Sequence, residues 1–243
     1  NRFYTITSVG KGNALSCGSN TSIDTKGKIT WKLARAAKSN SANIVWFLEK
    51  RDGKTYLYNP QSDSYFTGTA SAKTTSLCDK ASAPAWEIEC VDEGKARYTF
   101  NMNGSGQYIN SYNATETGLW SGGSSDANNL WTVEELKTID IVIPSSGYYL
   151  GCCPFAIALP EGLEAYVVGE AMNATYEGEE FTYAVMDKVD GNVIPARMPV
   201  ILMASSGTYA ATLIAEDNTP YTTPNLLKGA TLKQTGLTKA TVM

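Results

Sequence analysis

The chain has 243 residues, 43% hydrophobic and 18% charged, with a net charge of −4, a pI near 5.0 and no histidine. Acidity without a clustered basic face excludes nucleic acid or an anionic membrane as partner, and no apolar run approaches the roughly 20 residues of a membrane-inserted helix. The missing histidine removes Ser-His-Asp and Cys-His catalysis and the usual zinc sites, so no cofactor and no metal are expected.

In chain order, residues 1–136 repeat one pattern three times. Each copy opens with an aromatic-rich strand, at residues 2–6, 55–59 and 97–101. A turn of Gly, Asn, Ser or Asp follows: Gly10-Lys11-Gly12-Asn13, Pro60-Gln61-Ser62-Asp63 and Asn103-Gly104-Ser105-Gly106. A second strand is expected at 14–17, 64–67 and 107–110, then a polar loop and a short third strand. The copy closes on a Trp strand: Asn43-Ile44-Val45-Trp46-Phe47-Leu48-Glu49, Ala83-Pro84-Ala85-Trp86-Glu87-Ile88-Glu89 and Asn128-Asn129-Leu130-Trp131-Thr132-Val133-Glu134. The Trp residues stand 40 and 45 residues apart. Four short strands per unit with no helical periodicity predict an all-β closed assembly, in which no unit buries its apolar face alone.

From residue 137 the punctuation changes. Ile139-Asp140-Ile141-Val142-Ile143 alternates, Pro144-Ser145-Ser146-Gly147 turns, and residues 148–158 are apolar around Pro154. Strands are expected at 165–168, 181–185, 199–203 and 207–213, with Asp190-Gly191 as a hairpin turn. Turns every 8 to 12 residues suggest an antiparallel β-sandwich over 137–243. The chain begins at Asn1 without Met or leader and stops inside what reads as a further strand, so a processed or truncated product is expected. The five cysteines, Cys17, Cys78, Cys90, Cys152 and Cys153, read as small buried hydrophobes. A bridge in the first half and a strained vicinal Cys152–Cys153 bridge are the alternatives.

The three Trp strands carry a resemblance. Residues 1–136 resemble a ricin-B-type β-trefoil, with each Trp where that family has its Gln-x-Trp motif. The motif Gln is replaced by Ile44, Pro84 and Asn129. The resemblance implies a trefoil in which the motif Trp is core, and a lectin-like, sugar-binding role that the missing Gln weakens. Residues 137–243 are similar to modules of bacterial surface proteins, carried by Gly147-Tyr148-Tyr149-Leu150, Leu159-Pro160-Glu161-Gly162-Leu163-Glu164-Ala165-Tyr166, residues 194–202 and Asn225-Leu226-Leu227-Lys228-Gly229. That likeness implies a secreted or surface-displayed, adhesin-like protein without enzymatic activity.

Two further Trp residues, Trp31 and Trp120, sit in polar stretches before a motif strand. An aromatic ring among small polar residues suits the apolar face of a pyranose; the competing reading makes both third-strand core residues equivalent to Leu77. The third repeat offers the fullest set for a carbohydrate: Asn110, Tyr112, Trp120, Asp126 and Asn128. Repeat one offers Asp24 and Trp31, and repeat two Asp63 and Tyr65. The expected partner is a glycan or glycoconjugate, or alternatively another protein if the trefoil is degenerate for sugars. Glu177-Gly178-Glu179-Glu180 and residues 187–191 lack calcium-loop spacing and read as solvated turns. No carboxylate pair stands out for glycoside cleavage.

Overall fold

A computed structural model of the chain describes residues 2–23, 29–36, 42–113, 115–215 and 224–227. These residues are all-β apart from single turns of 3-10 helix, and the chain divides into two compact units, Asn1–Lys137 and Thr138–Met243.

The first unit has twelve strands in three sets of four. The first set is β1 (Phe3–Ser8), β2 (Ala14–Ile23), β3 (Ile29–Ala36) and β4 (Trp46–Arg51). The second is β5 (Lys54–Asn59), β6 (Ser64–Thr69), β7 (Thr74–Cys78) and β8 (Trp86–Asp92). The third is β9 (Arg97–Met102), β10 (Tyr108–Asn110), β11 (Gly118–Trp120) and β12 (Trp131–Glu135). The outer strands of each set make a ring. β4 pairs with β1 and β5, β9 pairs with β8 and β12, and β5 lies against β8. The ring closes where β1 pairs with β12, from Tyr4 opposite Glu135 to Ser8 opposite Trp131. The inner strands make three hairpins, β2–β3, β6–β7 and β10–β11, which meet where β7 pairs with β11 and β3 lies against β7. A closed ring with a triangle of hairpins in threefold repetition is a β-trefoil.

The core follows the repeat residue by residue. Each set supplies five side chains at equivalent places: Ile6, Leu15, Leu33, Trp46 and Leu48; Leu57, Phe66, Leu77, Trp86 and Ile88; Phe100, Ile109, Leu119, Trp131 and Val133. The three motif Trp residues are 0–2% exposed. Burying an indole N–H without an acceptor costs about 1–3 kcal/mol, and the fold supplies the same acceptor each time, the carbonyl of the second strand of the set. Trp46 donates Nε1–H to Leu15 O at 2.9 Å, Trp86 to Phe66 O at 3.4 Å, and Trp131 to Ile109 O at 2.9 Å. Phe66 joins two of the rings edge-on, its centroid 6.0 Å from Trp46 and 5.3 Å from Trp86.

The second unit is a sandwich of two four-stranded antiparallel sheets. One runs β13 (Thr138–Ile143), β20 (Gly207–Ile214), β15 (Ala156–Ala158), β18 (Val193–Ile194); the other runs β14 (Tyr148–Cys152), β19 (Pro199–Met203), β16 (Glu164–Tyr176), β17 (Glu179–Lys188). Alternation decides the buried face: β13 buries Ile139, Ile141 and Ile143 and exposes Asp140 and Val142. The Asp190-Gly191 hairpin expectation is corrected. β17 pairs with β16 and β18 with β15, so that turn carries the chain from one sheet to the other. The hairpin turn is Glu177-Gly178, both residues at positive φ (52° and 85°) between Tyr176 and its cross-strand partner Glu179.

All five cysteines are free, so neither alternative bridge forms. Cys17 is buried and Cys90 exposed, with the other three between, so the uniform expectation of buried hydrophobes is corrected: it holds for Cys17 and fails outright for Cys90. Burial pushes the Cys17 and Cys153 thiols up to about 12.

Two outcomes follow. Trp46→Phe and Trp131→Phe each leave a buried carbonyl without its donor and lower unfolding free energy by about 1–3 kcal/mol, with Trp86→Phe losing less because its bond is long. Urea denaturation checks the order. Under native conditions at pH 8, iodoacetamide labels Cys90 first while Cys17 and Cys153 react only on unfolding, read by peptide mass mapping.

Candidate functional site

Trp120 is the last residue of β11, and successive strand residues face opposite sides. Leu119, 2% exposed, enters the core with Leu33 and Leu77, whereas Trp120 stands off it, 44% exposed. The reading of Trp120 as the equivalent of Leu77 is therefore corrected: its neighbour holds that place. Trp31 lies on β3, but its side chain, like all of Asp24, falls outside the described residues.

The ground beneath Trp120 is the junction of the second and third hairpins. Gly118 pairs with Thr74, and a Cβ at Gly118 would stand 3.0 Å from the Lys73 carbonyl oxygen and 3.7 Å from the Tyr112 Cβ. Only a glycine lets the two backbones come this close. Thr75 Oγ1 donates to Thr117 O at 2.9 Å and lies 2.7 Å from Thr117 Oγ1, which cross-links the strands. Lys73 closes a tight turn at φ 53°, donating its N–H to Ala70 O, and its carbonyl accepts from Leu119 N at 3.2 Å. This turn carries the Lys73 side chain over the Trp120 indole, with Nζ 4.1 Å from the ring centroid. Such a cation–π contact contributes about 0.5–1 kcal/mol at an exposed site.

Above the junction lies an open cavity of about 810 Å³. Trp120 and Tyr112, the latter 69% exposed, bring ring surface to it; Thr74, Thr75, Ser76 and Thr117 bring hydroxyls; Asn110, Lys73 and Glu116 complete the polar lining. Asn110, Tyr112 and Trp120 are thus brought together, as one set. Asp126 and Asn128 do not line the cavity; they brace it. Asn110 is nearly buried and donates Nδ2–H to Asn129 Oδ1 at 2.7 Å and Asp126 Oδ2 at 3.3 Å. Asp126 Oδ1 accepts from Asn128 N–H, and Asn129 donates Nδ2–H to Gly123 O. Asn128 O accepts from Ser111 N–H at 2.8 Å, and the Ser111 hydroxyl meets Ser8 Oγ at 2.7 Å, tying the braced loop to β1. Asn129, which stands where the motif Gln would, is a fully buried amide within this network. In repeat two Tyr65 is buried with its ring 5.0 Å from Tyr58, whose hydroxyl donates to Asp63 at 2.7 Å.

Lys73 and the Thr74–Ser76 hydroxyls escape a repeat-by-repeat reading, because one wall of the cavity belongs to repeat two; Glu116, in repeat three, carries no signal in the sequence pattern. Threefold closure was the available signal: third strands of neighbouring repeats must meet, and Thr74-Thr75-Ser76 precedes Leu77 as Thr117-Gly118 precedes Leu119.

The chemistry this lining offers is stacking and hydrogen bonding. Glu116 is the one carboxylate among the described lining residues, whereas glycoside hydrolysis uses two. Among the described residues no cluster of three or more Cys, Asp or Glu is placed to hold a metal, and no helix is long and apolar enough to cross a membrane.

No protein-family model matches the sequence, and no curated protein matches it. Solved structures give distant likenesses. A designed threefold-symmetric protein, ThreeFoil, is 18% identical, covering 55% of this chain and 99% of its own at a TM-score of 0.42. The Macrolepiota procera ricin B-like lectin, solved with lactose, is 17% identical over 56% of this chain and 96% of its own, TM-score 0.41. The Clostridium perfringens GlcNAcα1-4Gal-releasing endo-β-galactosidase is 19% identical over 56% of this chain and 33% of its own, TM-score 0.44. The trefoil itself is established by the chain's own strand pairing.

Asn129→Ala strands the Asn110 amide and the Gly123 carbonyl, and lowers stability by about 1–3 kcal/mol, whereas Trp120→Ala changes it by under about 1 kcal/mol. Thermal unfolding of the two variants separates a brace from a surface ring.

Proposed function

We propose that this chain is a non-enzymatic carbohydrate-binding protein that holds a saccharide at Trp120. The observation that carries the reading is the placement of Trp120 off the core, with Tyr112, at the edge of a cavity lined by threonine and serine hydroxyls. A pyranose presents an apolar C–H face to such a ring and hydroxyls to such a wall. One shallow site of this kind binds with a Kd of about 10 μM to 1 mM, so multivalent display strengthens it through avidity. In this reading the protein is secreted or displayed on a bacterial surface, and the sandwich serves as its spacer or adhesin-like unit.

One observation favours a second reading, in which the trefoil is a protein-interaction module degenerate for sugars. The side chains of Asn110 and Asp126 are spent on one another, on Asn129 and on the Asn128 N–H, and the Asn128 side-chain oxygen accepts from the Ser111 hydroxyl. The stacking ring and hydroxyl wall outside that network favour the first reading.

Intrinsic Trp fluorescence during titration with mono- and oligosaccharides decides between them. The carbohydrate reading expects a saturable shift in the wild type that Trp120→Ala abolishes without loss of the circular dichroism spectrum. No shift with any saccharide leaves the interaction module.

A further inference from the structure

Resting on the carbohydrate reading, we infer that the Trp120 cavity selects a saccharide carrying a carboxylate, a hexuronic acid, over its neutral counterpart. The Lys73 ammonium lies over the Trp120 indole, 4.1 Å from its centroid, on the face that a stacking sugar takes. Its position is built. The Lys73 backbone is locked at φ 53° by the Ala70 turn and by the Leu119 N–H on its carbonyl, so the root of the side chain is in register with β11. Among the described residues no carboxylate lies within ion-pair distance of this ammonium. Its neighbour is a ring, and a ring satisfies a cation less well than an anion does.

The chemistry of a hexuronate matches this pair. Its ring has the same apolar face as a neutral pyranose, and its C6 carboxylate projects from the ring edge. A hexuronate stacked on this face moves the ammonium from over the ring to its rim, where the C6 carboxylate pairs with it, without moving the Lys73 backbone. A neutral sugar on the same indole face displaces the ammonium from the ring and gives nothing in return. Glu116 is the opposing charge in the lining. Its carboxylate accepts from Asn113 Nδ2, and the Asn113 side chain in turn takes the Thr115 and Glu116 N–H groups, so Glu116 is held at its own loop. The net charge of −4 works against a general affinity for anions, and stacking on Trp120 adds a contact that a simple anion lacks.

The test is a calorimetric and fluorescence titration with sodium galacturonate, methyl galactoside and galactosamine, on the wild type, Lys73→Gln and Glu116→Gln, each checked for fold by circular dichroism. Galacturonate is expected to bind about fivefold tighter than methyl galactoside at low salt, the size of one exposed ion pair, with the margin shrinking above 0.3 M salt as screening grows. Lys73→Gln is expected to erase the margin while the galactoside still binds, and Glu116→Gln to widen it. Equal or tighter binding of the galactoside by the wild type overturns the acidic preference and leaves the carbohydrate reading standing. Preference for galactosamine that Glu116→Gln removes also overturns it, by giving the site to a cation. Binding of none of the three by a folded protein overturns both readings together.

Discussion

Three buried indole N–H groups set the terms for the trefoil. Each Trp must enter the core for its area, and each brings a donor that the core has to satisfy. The second strand of the same repeat supplies a carbonyl each time, so the closing strand and the second strand of a repeat are locked at one height. The chain between donor and acceptor runs 31 residues in the first repeat but 20 and 22 in the others. The bond tolerates that difference because it fixes only the ends. The described residues between them are loop and hairpin, and the cavity is built from that material.

Much of this was legible. The Trp period announced the repeat, the aromatic-rich strands and turn residues marked the strands, and apolar alternation located Ile139, Ile141 and Ile143 on one face of the second unit. What stayed hidden was pairing across distance. Two Asp-Gly pairs illustrate it. Asp52-Gly53, at φ 50° and 73°, joins β4 to β5 as a tight hairpin, with Arg51 opposite Lys54. Asp190-Gly191 has the same letters and makes no hairpin, because β17 is already spoken for by β16. A local signal states that the chain can turn, and the sheet decides what the turn connects.

The candidate site was half legible for the same reason. Asn110, Tyr112 and Trp120 lie within one repeat; Lys73 and the hydroxyls of Thr74, Thr75 and Ser76 come from the neighbouring repeat and depend on the β7–β11 pairing. The split within the predicted set is also physical. Asn110 and Asn129 are buried where the loop must be rigid, so their amides turn inward to partners, among them the half-buried Asp126. Trp120 and Tyr112, free of that duty, turn outward. Rigidity behind and ring surface in front are two halves of one arrangement.

The pairing of β1 with β12 has a consequence in time. Strand β1 has its ring partner 123 to 131 residues later in the chain, so Tyr4 through Ser8 cannot find Glu135 through Trp131 until the third repeat is complete. Until then β1 leaves a ladder of backbone donors and acceptors open, the situation that invites pairing with a neighbouring chain. A nascent trefoil of this design is an open ribbon for most of its synthesis. Once closed, it brings its two ends side by side, so it can be inserted into, or appended to, another domain without stretching either junction.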